Sequence, residues 1–167
     1  MSIALSYAFI LGWGLWIGAI IFFSFFVAPA AFRELELEHA GRFIRTLFPR
    51  YYLFGAICGA LALASGGVLI WLRYWPWKSG ATVLVLVAGM VVLVLWARHR
   101  LLPRMDSLRD EAHEARRNGA DEAREEVLKR WHRLHRLSVR LNVLVLLLGL
   151  MAGWAWLNCW LVLPARY

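Results

Sequence analysis

Four long apolar stretches, separated by polar segments, set the hydrophobic pattern of the chain. They run from about residue 3 to 27, 51 to 71, 80 to 97 and 141 to 163, and none contains Asp, Glu, Lys or Arg. Each is close to the length of helix that crosses the hydrocarbon layer of a bilayer, about 17 to 25 residues. We therefore predict an all-α integral membrane protein, a four-helix bundle in which residues 1–167 form a single membrane domain surrounded by lipid.

The first polar segment, residues 30–50, predicts an amphipathic cytoplasmic helix at the membrane surface. Its acids come before most of its bases, which suits the dipole of a helix. Apolar residues such as Phe43 and Leu47 would supply the face that lies on the membrane. Pro49 is expected to end this helix before the chain re-enters the bilayer.

The second polar segment, residues 98–140, predicts a charged helical hairpin that extends helices three and four into the cytoplasm. A turn is expected at residues 118–121, with Asp121 as the N-cap of the following helix. Both arms repeat residues at steps of three and four, the spacing of a helix–helix seam. The repeating residues are Met105, Leu108, Ala112 and Ala115 on one arm, and Val127, Trp131, His135, Ser138 and Asn142 on the other. A disordered linker is the alternative, because acids and bases are mixed along the segment.

Composition and charge then indicate topology. The chain is 61% hydrophobic, well above the roughly 45–50% of a soluble domain. Its net charge is +8, and the two polar segments hold sixteen of the nineteen Lys and Arg residues. By the positive-inside rule both segments are expected in the cytoplasm, so that both termini of a multi-pass inner (plasma) membrane protein lie outside. No nucleic-acid partner is expected, because the bases alternate with acids and flank membrane helices.

Glycines four residues apart occur in three of the apolar stretches. The pairs are at positions 14 and 18, 55 and 59, and 149 and 153. Small residues at this spacing allow helix backbones to approach closely. The pattern favours either a tight bundle or association with a second copy or another membrane protein, and it leaves these alternatives open.

A stripe of polar residues enters the fourth apolar stretch. His135, Ser138 and Asn142 are three and four residues apart, so they share one face of a helix. That face is expected to point into the bundle, because an amide exposed to lipid would have no hydrogen-bond partner. The stripe could form hydrogen bonds between helices, a ligand or ion site, or a redox or metal site.

A metal site would begin with His132 and His135, which can chelate from one helix face, and His99 and His39 are further candidates. No histidine lies near the middle of an apolar stretch, which disfavours a haem held within the membrane by two axial histidines. We predict no cofactor, with haem or a metal ion as the alternative.

Several motifs together resemble the transmembrane protein 205-like family, a family of small four-helix membrane proteins. They are the stretch WGLWIGAIIFFSFFVAPAAF, which includes Trp16, and the motifs Leu47-Phe48-Pro49-x-Tyr51, Leu102-Pro103-Arg104 and His135-x-x-Ser138-x-x-x-Asn142. The resemblance implies the same four-helix topology. It also implies ligand-binding positions at Trp16, Phe48, Pro49, Tyr51, Pro103, Arg104, His135, Ser138 and Asn142. A eukaryotic member is associated with resistance to platinum drugs, which implies export or trafficking.

The leading hypothesis is a small, non-enzymatic membrane protein for transport, resistance or small-molecule binding. Its polar pocket would lie at the cytoplasmic ends of the helices, where most of the motif positions gather. A structural accessory subunit of a membrane complex is one alternative. A redox membrane protein that binds haem or a metal is the other.

Overall fold

The computed structural model describes residues 2–161, apart from the side chains at 37–38 and 159–161. The helices are α1 (Ser2–Phe22), α2 (Ala28–Glu34), α3 (Leu37–Trp71), α4 (Trp77–Trp96), α5 (Leu102–Arg117) and α6 (Asp121–Leu161). Two five-residue π-helical turns, Phe23–Val27 and Ala97–Leu101, join α1 to α2 and α4 to α5 without a break. The described residues contain no strand, so the all-α prediction is confirmed.

Four helical runs within residues 2–161 are long and apolar enough to cross a membrane. They are Ser2–Glu34, His39–Trp71, Trp77–Arg117 and Asp121–Asn158. Large apolar side chains point outward along them, as lipid contact requires, and Val85, Trp154 and Phe25 are about two-thirds exposed or more. The predicted four-helix bundle is thus confirmed, although residues 162–163 of the predicted fourth helix lie outside the described residues.

Apart from Lys78 at the start of α4, the charged residues of these runs lie in polar extensions of the helices at one end of the bundle. We call the region formed by residues 30–50 and 98–140 the charged end. The opposite half, where the apolar segments of α1, α3, α4 and α6 meet, is the packed end.

The predicted helix end at Pro49 is wrong. The helical run ends earlier, at Leu35, whose backbone is extended. The next helix, α3, begins at Leu37 and continues through Pro49 to Trp71. Proline removes one helical N–H, but packing can outweigh that loss. Here the ring of Phe23 packs on the rings of Phe48 and Tyr51, and Arg98 donates a hydrogen bond to the Pro49 carbonyl. The predicted surface helix is therefore divided between α2 and the first turns of α3.

The predicted helical hairpin is confirmed, since α5 and α6 pack against each other over the charged end. Its turn contains Gly119, whose φ of 67° is in the left-handed region that favours glycine. Asp121 is the first residue of α6 rather than its N-cap, because the Arg124 N–H already bonds to the Ala120 carbonyl. This places an acidic residue in the first turn, where the helix dipole favours it.

Close helix contacts at the packed end depend on glycines. The ring of Trp16, a residue of α1, packs against the glycines of α3. A Cβ added at Gly55 or Gly59 would come within 2.5 or 2.6 Å of this ring. Gly149 faces Ile17 in the same way. By contrast, nothing among the described residues lies within 4 Å of a Cβ at Gly14 or Gly18, so this pair makes no such contact within the chain.

Candidate functional site

A cavity of about 290 Å³ opens at the charged end, between the α1–α2 run and α6. This is close to the lower end of the range for small-molecule sites, about 300 to 1,000 Å³. Its inner wall is apolar and includes Ile20, Phe23 and Leu146. Its outer rim is polar or aromatic and includes Arg45, Asp106, Arg109, Trp131 and His135.

The mouth of the cavity is bordered by exposed apolar side chains on both sides. Phe25 and Phe32 border it on the α1–α2 run, and Val139 and Val143 border it on α6. All four are about half exposed or more. These residues continue the outward-facing apolar surface of the membrane-crossing runs, so the cavity opens sideways toward the region that lipid would occupy.

The π-helical turn Phe23–Val27 supplies one wall of the mouth. It contributes Phe23, Ser24 and Phe25 to the cavity lining before α2 begins at Ala28. α-Helices interrupted by a π-turn frequently have functional sites at the interruption. The first stretch was expected to be one regular helix from 3 to 27, and its hydrophobicity alone gave no signal of this turn.

Arg45 is the centre of an ion-pair cluster on the rim. Its Nε lies 2.8 Å from Oδ1 of Asp106, and its Nη1 lies 3.0 Å from Oδ1 of Asp110. The hydrogen bond from Arg45 lowers the pKa of the Asp110 carboxyl. Both acids lie on one face of α5, so the cluster joins α5 to α3 and leaves Arg45 with two carboxylate partners.

Arg109 is half-buried beside this cluster and has no carboxylate partner within ion-pair distance among the described residues. Its Nη1 donates a hydrogen bond of 3.1 Å to the Gly41 carbonyl. Its guanidinium carbon lies 5.0 Å from the centre of the Trp131 ring, a cation–π distance. Burial lowers the pKa of Arg109, and the charge of Arg45 lowers it further. The group still carries its charge, because an arginine is not deprotonated in proteins.

His135 stacks on the ring of Trp131, which also contacts Arg109. The two rings are 5.1 Å apart and nearly parallel, at 6°. Burial lowers the pKa of His135, and the charges of His132 and Arg109 lower it further. The imidazole is therefore neutral at neutral pH, with one nitrogen that donates and one that accepts hydrogen bonds. No described residue forms a hydrogen bond with it.

The polar stripe predicted on the fourth helix divides between two environments. His135 and Asn142 line the cavity, together with Ser24 from the π-helical turn. The amide of Asn142 forms no hydrogen bond with any described residue, so its polar atoms are available to a ligand. Ser138, in contrast, is buried, and its hydroxyl lies 3.2 Å from the hydroxyl of Tyr52 on α3.

The other predicted ligand positions are spread more widely. Phe48 lines the cavity, and Tyr51 packs behind Phe23. Trp16 is buried in the core of the packed end, and neither Pro49 nor Pro103 lines the cavity. Arg104 lies elsewhere, in an open groove of about 390 Å³ with Arg130 and Arg133. Ligand binding by all these positions stays a prediction.

The predicted metal site began with the H-x-x-H pair, His132 and His135, and the structure shows the surroundings of both side chains. Within residues 2–158, the part of the chain whose side chains are mostly described, no group of three or more His, Cys, Asp or Glu side chains is placed to hold a metal ion. His135 stacks flat on Trp131, while His132 meets the same ring edge-on at 5.2 Å and is exposed. The H-x-x-H pair thus packs around an aromatic ring.

Sequence reasoning did not select Ser24, Arg45, Asp106 or Arg109 as site residues. A signal was present on α5, where Asp106 and Asp110 are four residues apart and share one face. Their partner Arg45 comes from α3, however, and no local pattern connects segments so distant in the chain. Only the packing of α3 against the hairpin reveals the cluster.

Comparison with known proteins identifies the family. The domain of unknown function DUF4149 matches residues 11–114, more than half of the chain. The chain belongs to this family. The DUF4149 match includes Arg45, Asp106 and Arg109 of the cavity rim and ends before α6, which carries Trp131, His135 and Asn142.

The chain is also similar to a bacterial protein without an assigned function. An uncharacterized protein of Aquifex aeolicus (strain VF5) is 27% identical over 129 residues, which cover 77% of this chain and 79% of that protein. No solved structure matches the chain. The narrower resemblance to the transmembrane protein 205-like family stays a prediction, because the match is to DUF4149.

Proposed function

We propose that this DUF4149 protein binds an amphiphilic small molecule in the cavity at the charged end. The observation that carries the proposal is the order of the lining residues. The polar rim lies outside, the apolar wall lies inside, and the mouth opens through exposed apolar side chains toward lipid. A molecule with one polar end and one apolar end satisfies both parts of such a site, whereas a fully polar solute would leave the apolar wall uncovered.

The length of the lining supports the same proposal. Along α6 it runs from Trp131 at the rim to Leu146, which is about 22 Å at 1.5 Å per residue. An extended chain can lie along this wall and continue between the exposed side chains into the bilayer. Ser24 and Asn142 add hydrogen-bonding groups part-way along the wall, where a polar linkage of the ligand would meet them.

The distribution of Lys and Arg supports a proposed membrane location and orientation of the protein. The positive-inside rule favours an inner (plasma) membrane location, with the charged end in the cytoplasm and the cavity in the cytoplasmic leaflet. A transport or resistance role, which the resemblance to the transmembrane protein 205-like family favours, would use this cavity as its substrate site.

The test is a binding experiment with hexadecanol, an uncharged amphiphile, and the full chain in mild detergent. Native mass spectrometry would count bound hexadecanol as its mole fraction in the micelle increases. Val143→Trp places a large side chain at the mouth of the cavity, and we expect it to abolish saturable binding. The matched control is Val92→Trp, because Val92 is 64% exposed on α4 and does not line the cavity.

Saturable binding that Val143→Trp removes and Val92→Trp retains would support the proposal. If wild-type protein binds neither hexadecanol nor hexadecanoate beyond proportion to its mole fraction, or if both variants behave like wild type, the cavity is not an amphiphile site. The folded state of each variant is checked by its thermal unfolding midpoint.

One observation favours a second candidate, an accessory or self-associating subunit. The Gly14 and Gly18 pair makes no close helix contact within the described residues, unlike the pairs on α3 and α6. Small residues on an outward face allow another helix to approach. Replacing both with leucine should then lower the oligomeric mass measured in detergent, and an unchanged mass would exclude this face as the contact.

A further inference from the structure

We infer that the polar end of the bound amphiphile is an anion, a carboxylate or a phosphate monoester, and that Arg109 pairs with it. This inference rests on the proposed function and names the class of ligand for the same cavity. It depends on a second observation, which is that both acids of the rim cluster contact Arg45 and neither contacts Arg109.

The two arginines of the rim differ in how their charge is balanced. Arg45 contacts two carboxylates, those of Asp106 and Asp110, at 2.8 and 3.0 Å. Arg109 attracts the same acids at longer range, but no carboxylate of a described residue lies within ion-pair distance of it. The cavity lining includes Arg45, Asp106 and Arg109, and Asp110 lies just outside it. The two acids equal the two arginines in number, but both contact Arg45, so the guanidinium of Arg109 has no direct ion-pair partner among the described residues.

The geometry around Arg109 leaves hydrogen-bond donors for a ligand. A guanidinium has five N–H donors in one plane, and the Gly41 carbonyl accepts from Nη1. Trp131 lies at cation–π distance and restrains the group without using those donors. A carboxylate or phosphate oxygen pair matches the fork of such a guanidinium, which is why arginine is common at sites for these anions.

His135 adds a neutral donor on the same side of the cavity. It stacks on Trp131, the ring that Arg109 also contacts, and it forms no hydrogen bond with a described residue. A neutral imidazole can donate to a second oxygen of the anion without adding charge. Trp131 therefore aligns two donor groups at the rim, where the polar end of an amphiphile would lie.

Cationic and neutral polar ends fit the rim less well. A cation would meet the charges of Arg45 and Arg109, and the nearest acid, Asp106, is already bound to Arg45 Nε. A neutral alcohol would leave the half-buried guanidinium of Arg109 without a direct ion-pair partner. An anion removes that cost, because charge-assisted hydrogen bonds form where the guanidinium is partly shielded from water.

The experiment compares four probes on the full chain in mild detergent. Hexadecanol and hexadecanoate have the same chain and differ in charge, hexadecyl phosphate replaces the carboxylate, and inorganic phosphate has no apolar part. We expect hexadecanoate to bind wild-type protein about tenfold or more tightly than hexadecanol, the ratio that one charge-assisted pair supplies. In Arg109→Gln this ratio should fall close to one, because the affinity for hexadecanoate should fall by about tenfold more than the affinity for hexadecanol.

Arg133→Gln is the matched control, since it removes the same charge from an exposed arginine of α6 in the separate groove. It should retain the wild-type preference for hexadecanoate. Arg109→Lys is the second variant, which keeps the charge and loses the planar fork, so it should show an intermediate preference. If Arg109→Gln does not fold, the comparison of probes on wild type and Arg109→Lys still decides.

The four probes distinguish a phosphate headgroup, a fatty-acid carboxylate and a free anion as the ligand of Arg109. Tighter binding of hexadecyl phosphate than of hexadecanoate would identify a phosphate headgroup, and the reverse would identify a fatty acid. Competition by inorganic phosphate alone would show that a free anion is sufficient at Arg109, and would support the anion site. Equal binding of hexadecanol and hexadecanoate to wild type would overturn the inference and leave the proposed function intact. Absence of saturable binding by every amphiphile would overturn the proposed function itself.

Discussion

The two ends of the bundle are built by the same helices but in opposite ways. At the packed end Trp16, Leu69, Val83 and Met90 are almost completely buried, and glycines bring the helices into close contact. At the charged end the α1–α2 run separates from α6, and the space between them is a cavity with exposed apolar margins. Close packing stabilises a helix bundle, so the open end is where the chain can bind something else.

The polar residues of α6 show a similar contrast, between a closed and an open environment, within one helical turn. Ser138 and Asn142 are one turn apart on α6. The Ser138 hydroxyl forms a buried hydrogen bond with the Tyr52 hydroxyl, whereas the side-chain amide of Asn142 lines the cavity and forms no hydrogen bond with a described residue. The stripe that looked uniform in sequence is therefore half structural and half available to a ligand. Substitutions on the two sides should have clearly different effects on the free energy of unfolding.

The largest effect is expected at the packed end. Trp16→Ala should lower the free energy of unfolding by about 3 to 5 kcal/mol, because it removes a fully buried ring that contacts Gly55 and Gly59. Trp154→Ala is the control, since this ring is 72% exposed and should cost no more than about 0.5 kcal/mol. Equilibrium chemical unfolding in mild detergent measures both, and equal losses would contradict the contrast between core and surface.

The closed contact of α6 gives the next effect. Ser138→Ala should cost about 1 to 3 kcal/mol of unfolding free energy, because the hydroxyl of Tyr52 is left buried without a partner. The double variant with Tyr52→Phe should cost less than the sum of the two single variants, since neither polar group then remains. Strictly additive losses would show that the two hydroxyls do not interact.

A smaller effect should appear in the pH dependence of stability. Burial lowers the pKa of folded His135 below the value of 6.5 for a free histidine. As pH falls below 6.5, the unfolded state takes up a proton before the folded state does, so the free energy of unfolding decreases through this window and rises again with pH. His135→Gln should flatten that slope, because it removes the group whose pKa burial lowers. An unchanged slope in His135→Gln would place the titrating group elsewhere.

The smallest effect on stability is expected at the open contact of α6. Asn142→Leu should change the free energy of unfolding by no more than about 0.5 kcal/mol, because no hydrogen bond to a described residue is lost. The same unfolding experiment measures it beside Ser138→Ala. A loss as large as that of Ser138→Ala would mean that Asn142 is also part of a closed structural contact.

Much of the fold could be predicted from the pattern of residues. Apolar length identified the four membrane-crossing runs, and the steps of three and four in 105–115 and 127–142 identified the hairpin, because both are local signals. The helix end at Pro49 was wrong, since the cost of a missing N–H is local while the compensating contacts of Phe23 and Arg98 come from other segments.

The site was less predictable than the fold. The stripe spacing brought attention to His135 and Asn142, which do line the cavity, but could not show that Ser138 turns toward Tyr52. The cluster of Arg45 with Asp106 and the position of Arg109 depend on how α3 packs against α5. Contacts of that kind follow from tertiary packing and have no period in the sequence.

The most direct test of the account is photo-cross-linking with a sixteen-carbon carboxylate that carries a diazirine half-way along its chain. Mass spectrometry of the labelled full chain would locate the modified residues. A ligand site at the charged end predicts labels on the margins of the cavity, at Phe25, Phe32, Val139 and Val143, and their loss when unlabelled hexadecanoate is in excess. Labels spread equally over outward-facing residues such as Val85 and Val92, with no competition, would contradict a ligand site at the charged end.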